Sequence, residues 1–344
     1  MTDHHIGNFA ISAPVIRRLI EHFDEPVDTM VDGSLVELAR LLLDTERVLP
    51  ARRRRGVGGI AEMTRLGAAV AGRYHAVIDV GSGVRSSAVV ACSLARRRIG
   101  LDSYRRGWAY NHRLPDHAPD HVFDRYAQML AAIGETTRPD FLSIDAPAAA
   151  RTAAADALSG AFASNEPYAV VHAGAGKPHR IWPAERFSAV ADRIVREHGL
   201  PVCFIGTPQE RERVERVRAG MRSADQTAFV SVGILPLIAL LERAALLFCN
   251  ESGPMHLAAL TRCPIVAIYG PTSMAHWSPL REQGITMLTG HACPAECTGG
   301  RCVAESRCLT GVSIDDAADA VAVALGRASG NATGRPREAR MTGT

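Results

Sequence analysis

The sequence predicts an α/β fold in which parallel sheets are flanked by helices. Apolar, β-branched runs alternate with helical patterns along almost the whole chain, as expected of parallel strands joined by crossover helices. Several of those runs end in glycine or a polar turn, as strand-to-helix junctions do. One segment displays the complete unit. Phe248-Cys-Asn-Glu-Ser-Gly-Pro-Met-His-Leu-Ala-Ala-Leu260 is an apolar run, a glycine-containing turn and a small-residue helix. Pro264 to Pro271 is a second apolar run that ends in Gly-Pro.

The elements follow in order. Ile16 to Phe23 has helical spacing just after Pro14. Ala76 to Val80 reads as a strand, followed by a glycine turn at 81–83 and a helix through Leu94. Val122 to Ile133 is an amphipathic helix stopped by Gly134. A second block opens near Pro167 with a strand at Tyr168 to Val171 and a helix from Glu185 to His198. The strand Pro201 to Ile205 ends at Gly206, and Pro208 to Met221 is helical. Leu235 to Ala244 is a helix that leads into the strand Ala245 to Cys249. The alanine-rich segment from Asp145 to Asn165 is the expected interdomain region, which divides the chain into 1–150 and 151–326. Residues 327–344 have loop composition and are expected to be disordered. A doubly wound domain usually opens with a strand, yet Gly7 arrives almost at once. Either the start codon is assigned too late or the first strand is very short.

At 344 residues, two domains are the default. A hydrophobic content of 47% with 22% charged residues is ordinary for a globular protein and excludes wholesale disorder. The net charge of +3 is too small for general nucleic-acid binding, although arginines cluster at Arg52–Arg55, Arg96–Arg98 and Arg105–Arg106. No run approaches the roughly 20 apolar residues that span a bilayer. The opening Met-Thr-Asp-His-His lacks the charged and apolar regions of a secretory signal, so a cytoplasmic protein is expected.

Three strand-end loops carry groups suited to an anionic ligand. In Val171-His-Ala-Gly-Ala-Gly-Lys-Pro-His-Arg-Ile-Trp-Pro183, the small residues Gly174 and Ala175 let backbone amides approach a diphosphate, and Lys177 and Arg180 neutralise it. The alternative is a solvated basic loop. Glu210, in Gly206-Thr-Pro-Gln-Glu210, is placed to accept hydrogen bonds from a ribose, or else it is an acid at a helix N-terminus. Glu251, Ser252, Gly253 and His256 cluster where an open α/β sheet usually binds ligands. The alternative there is a buried junction with a helix cap at Asn250 or Ser252.

These motifs resemble those of the heptosyltransferases, the ninth glycosyltransferase family. Gly7-Asn-Phe-Ala-Ile-Ser-Ala-Pro14 is similar to the family's Gly-Asp-x5-Pro opening. Asp79 to Ser86 and Arg98-Ile-Gly100 resemble its middle motifs. The His-x-Gly-Ala…Trp-Pro and Asp-Ser-Gly-Pro-Met-His-Leu-Ala-Ala motifs recur at 172–183 and 251–259, the second with Glu for Asp. The resemblance implies a GT-B fold: two Rossmann-like, doubly wound domains facing a cleft, acceptor on the first and nucleotide sugar on the second. It implies an inverting transfer of heptose, or a related sugar, from an ADP-sugar to a hydroxyl. The acceptor would be a glycan, a lipid-linked or a small molecule, with peripheral membrane contact and without nucleic acid. No metal is required of such a reaction. Arg180 stands at the family's lysine position near phosphate and sugar, Glu210 matches a nucleotide-contacting acid, and Glu251, Ser252, Gly253 and His256 match the segment that embraces sugar and diphosphate.

Three residues depart from the pattern. The family's presumed catalytic base, the aspartate after the opening glycine, is Asn8, and an amide is no base at neutral pH. Asp3, His4 and His5 are the substitutes nearest in sequence, unless they form an exposed N-terminus; His5 is the candidate carried forward. Glu251 replaces an aspartate and Arg180 a lysine, each keeping charge but changing geometry. The alternative function is therefore a sugar-nucleotide-binding homologue that has lost its base. Finally, Cys293, Cys297, Cys302 and Cys308 are spaced to bind structural zinc or iron through four thiolates, or to form disulfides; the spacing is not that of paired CxxC zinc sites.

Overall fold

A computed structural model describes residues 5–52, 56–81, 83–102, 107–117, 119–163, 166–281, 283–291, 302 and 306–329. Its first element is a helix, α1 (Ile6–His22), so the helix expected at Ile16 begins at Ile6 and absorbs the Gly7–Pro14 motif. Pro14 lies inside it, where its ring removes one backbone donor. Burial explains why the helix survives this. Gly7, Phe9 to Ile16 and Leu19 are all buried, because α1 is packed on several sides.

The chain continues through β1 (Thr29–Asp32), α2 (Val36–Leu43), β2 (Val48–Ala51), α3 (Gly56–Val70), β3 (Ala76–Asp79) and α4 (Val84–Cys92). After β4 (Arg97–Leu101) and β5 (His112–Leu114), α5 (Val122–Ala127) passes into a tighter 3-10 turn that Gly134 stops at φ 78°. These five strands form two parallel sheets, β1-β2 and β3-β4-β5. The stretch expected as an interdomain region contains a helix, α6 (Ala148–Leu158). Its alanines face inward at 150 and 154 because they let α6 approach the next half of the chain closely.

That half consists of β6 (Ala169–His172), α7 (Ala184–His198), β7 (Val202–Ile205), α8 (Arg211–Ala219), β8 (Thr227–Val230), α9 (Ile234–Arg243), β9 (Leu246–Asn250), α10 (Gly253–Ala259) and β10 (Ile265–Ile268). It finishes with α11 (Met274–Trp277), β11 (Ile285–Leu288), α12 (Arg307–Thr310) and α13 (Ile314–Ser329). The expected disordered tail thus starts too early, since α13 continues to Ser329; 330–344 lie outside the described residues. The six strands are parallel in the order β8-β7-β6-β9-β10-β11. In β6, β7, β9 and β10 every residue is buried, as expected of strands covered by helices on both faces.

One core cluster joins the two halves: Phe9 and Ile11 of α1 belong to it together with Leu257 and Ala258 of α10. Polar contacts reinforce the junction. His121 Nε2 lies 2.9 Å from the Ser278 carbonyl, His276 Nδ1 lies 2.8 Å from that of Asp120, and Ile144 N–H donates to Leu260 O at 3.0 Å.

Candidate functional site

Strand order reverses between β6 and β9, and the carboxyl ends of these neighbours make the crevice where such sheets take ligands. His172 ends β6 and Asn250 ends β9. Asn250 does not cap a helix. Its Oδ1 accepts from Trp182 N–H at 3.0 Å, and its Nδ2 donates to Gly174 O at 3.1 Å. The amide therefore holds both ends of the 174–182 loop against β9. Trp182 anchors the far end, buried edge-on to Phe187 and Phe248.

Ser252 occupies the cap position of α10 but makes no side-chain cap. Its hydroxyl lies 3.0 Å from His172 Nδ1. The other ring nitrogen of His172 is 3.6 Å from Glu210 Oε1. Glu210 Oε2 accepts from Thr207 N–H at 2.8 Å and from the Thr207 hydroxyl at 3.0 Å. Burial alone would raise the Glu210 carboxyl, but His172 and Thr207 outweigh it and hold the carboxyl at about 2. A side chain at Gly174 would overlap that carboxylate, so the glycine is required by the close approach of the two loops. Ala175 is half-buried, and Lys177 is exposed at the start of the 3-10 turn that carries Arg180.

Arg180 Nη1 lies 3.6 Å from Glu251 Oε1. Burial raises the Glu251 carboxyl, and Arg180 only partly opposes this. Several buried polar atoms here have no hydrogen-bond partner among the described residues: His179 Nε2, Arg180 Nε, Glu251 Oε2 and Thr272 Oγ1. A cluster of donors and acceptors without partners is costly unless a polar ligand completes it. A polar ligand able to both donate and accept hydrogen bonds would suit this cluster.

The N-terminus of α1 closes the site from the other half. Ile6 packs beside Gly253, and a methyl built on Gly7 would lie 2.6 Å from His256 Cδ2. Asn8 stands in the first turn of α1, half-buried, while His5 is its exposed cap residue. His256 is buried, and that burial, with His121 nearby, pushes its imidazole down to about 4, so it is neutral at pH 7. Arg180 and His256 have different partners: the first meets Glu251, the second meets Gly7.

Sequence reasoning missed His172 as a site residue, the stapling role of Asn250, and Thr272. A usable signal existed for His172 and Asn250, each the polar last residue of an apolar strand. Thr272 had none, because only the β10 register brings it beside Glu251. Of the late cysteines, Cys308 is buried in α12, and Cys302 Sγ accepts from Ser306 N–H at 3.1 Å. Cys293 and Cys297 lie outside the described residues. Among the described residues no group of three or more His, Cys, Asp or Glu is placed to hold a metal ion.

A Rossmann-ordered sheet joined to a second parallel α/β half is the GT-B architecture, and solved structures agree on the fold. A glycosyl transferase family 9 protein from Veillonella parvula superimposes with a TM-score of 0.81 at 21% identity, over 93% of this chain and 94% of that one. Heptosyltransferase WaaC of E. coli, solved with ADP-2-deoxy-2-fluoro heptose, gives a TM-score of 0.69 at 17% identity, covering 94% and 97% of the two chains. In sequence, lipooligosaccharide heptosyltransferase 2 of Haemophilus ducreyi is 22% identical over 303 residues, 81% of this chain and 85% of the relative. The family model of glycosyltransferase family 9 (heptosyltransferase) matches residues 63–306, and the chain belongs to that family.

Proposed function

We propose that this protein is an inverting glycosyltransferase that moves a heptose, or a related sugar, from an ADP-linked donor to a hydroxyl acceptor. The observation that carries this reading is the convergence of Arg180, Glu251, Ser252 and His172 at one switch point, with buried polar atoms awaiting partners. The structural neighbour solved with ADP-2-deoxy-2-fluoro heptose supports the donor class.

In the reaction, the acceptor oxygen forms a bond to the anomeric carbon as the bond to the ADP oxygen breaks on the opposite face. Charge develops on the departing diphosphate, where Arg180, backbone amides of the Gly174–Ala175 loop and the exposed Lys177 oppose it. Ser252 is held by His172, and His172 by Glu210, so the hydroxyl is oriented before the donor arrives. The acceptor's proton must pass to a base. Asn8, in the first turn of α1, holds the position from which the family resemblance expects it to be taken, and His5 is the titratable group at the same helix end. The acceptor class is a glycan, a lipid-linked or a small molecule. No helix among the described residues is long and apolar enough to cross a membrane, so a lipid-linked acceptor would be met at a membrane surface.

Asn8 also favours a second reading, a binding protein that holds the sugar nucleotide without turning it over. Calorimetry with ADP and ADP-heptose, followed by ADP release on adding acceptors, separates the two. Binding with acceptor-dependent release supports transfer; binding without release under any acceptor supports the second reading; no binding of either nucleotide overturns both.

A further inference from the structure

The helix α3 does not present the charged outer face usual in a surface helix. Its outward residues recur at three- and four-residue spacing, and its first two turns expose Val57, Ile60 and Ala61. Val57 is 83% exposed and Ile60 71%. The one carboxylate of α3, Glu62, is turned inward, where it accepts from Arg52 N–H at 2.8 Å and from Arg65 Nε at 2.9 Å. The outward stripe therefore carries no negative charge.

A second helix adds to the same face. α3 follows β2 and α4 follows β3, so both start at the carboxyl ends of their strands. They run side by side in the same direction. Arg85 Nη2, in the first turn of α4, donates to Arg52 O at 2.7 Å, while at the other end Gly67 lies against Cys92. Val84, the first residue of α4, is 68% exposed. Val57, Ile60 and Val84 thus stand at one edge among the cations Arg52, Arg65 and Arg85. In sequence, Arg52 opens a run of four arginines that ends just before Gly56.

We propose that this face docks the protein on an anionic lipid bilayer, with Val57, Ile60 and Val84 entering the headgroup layer and the arginines meeting lipid phosphates. Aliphatic side chains ringed by basic groups suit an interfacial contact, and the N-terminal ends of α3 and α4 add partial positive charge on the same side. A second copy fits less well. A twofold contact would set each group of arginines against its own image. Three aliphatic side chains also fall well short of the roughly 800 Å² per partner that a stable protein interface buries. Docking would hold the carboxyl edge of the N-terminal strands at the lipid surface. Under the transfer reading, a lipid-linked acceptor would arrive there; the docking itself requires no sugar transfer.

Sedimentation of the full chain with vesicles tests this, using pure phosphatidylcholine against equimolar phosphatidylethanolamine and phosphatidylglycerol. Binding to the anionic vesicles should be at least about tenfold tighter than to the neutral ones and should weaken as salt is raised. Val57→Ser, Ile60→Ser and Val84→Ser together should weaken it by at least about tenfold, because each removes apolar burial. Leu94→Asn, at an exposed apolar residue beyond the other end of α4, should leave it unchanged. If the triple variant misfolds, Val57→Trp carries the test. It should bind tighter, with fluorescence shifted to shorter wavelength by anionic vesicles only, as for an indole entering the interface; no shift overturns the proposal. Equal binding to both vesicles, binding to neither, or undiminished binding of a folded triple variant also overturns it. So does light scattering that finds a dimer which the triple variant dissociates, since a second copy then covers the face.

Discussion

Arg180 is the residue on which the donor reading turns. Its guanidinium reaches Glu251 at 3.6 Å while its Nε is buried without a hydrogen-bond partner among the described residues. Arg180→Ala should weaken ADP binding by roughly 1–3 kcal/mol, the scale of a hydrogen bond to a charged group. Unchanged affinity by calorimetry would remove Arg180 from the diphosphate. Gly7 makes a second residue-scale prediction, because a methyl there would sit 2.6 Å from His256 Cδ2. Gly7→Ala should cost about 1–3 kcal/mol in urea unfolding, as overpacking does. Gly7→Ala combined with His256→Ala should cost less than the sum, a coupling that independent effects would not show. For Asn8, replacement by a carboxylate is the informative change. Asn8→Asp should raise transfer by up to the roughly 10²–10⁴-fold of general-base catalysis. A lower rate would mean that the amide itself makes a needed contact.

At the scale of elements, the β6–α7 and β7–α8 loops are held by a short polar chain, Ser252–His172–Glu210–Thr207. Its pH response has a definite sign. Glu210 is held at about 2 against an ordinary 4.5, so its contribution is complete above pH 4.5 and fades as pH falls towards 2. Glu210→Gln should therefore be less stable than the parent at pH 7 by up to about 3 kcal/mol, with the gap closing between pH 4.5 and 2. A gap that stayed constant with pH would place the carboxylate's contribution in packing. Most elements of the second half were legible from pattern, because their strands are buried and continuously apolar: β6, β7 and β9 lie within one residue of expectation. The first half was harder. Its strands are of similar length, and β3 was read to within one residue, but β1, β2 and β5 are interrupted by part-exposed or exposed positions, so their apolar signal is broken. The helix α1 was seen only in its second half, because Gly7 and Pro14 read as a loop, and burial on several sides overrides that preference.

For the whole molecule, the late cysteines offer a measurement independent of the donor site. A four-thiolate site would give about one equivalent of zinc or iron per purified chain, and chelation would lower its melting temperature. Metal-free protein whose four thiols all react on denaturation would show that the cluster is neither ligated nor crosslinked. The alternation of strands and helices, the two-part organisation and the loops bearing Arg180 and Glu251 were determined by the sequence alone, since each depends on local periodicity and on residue types at strand ends. Tertiary structure decided the rest. It paired His172 with Ser252 across eighty residues of chain, turned Asn250 into a staple, set Thr272 beside Glu251, and laid Gly7 against His256. It also parted β1 from β3. These relations depend on which strands become neighbours, and strand order is chosen by packing the whole sheet between its helices, a global energy that no local pattern records.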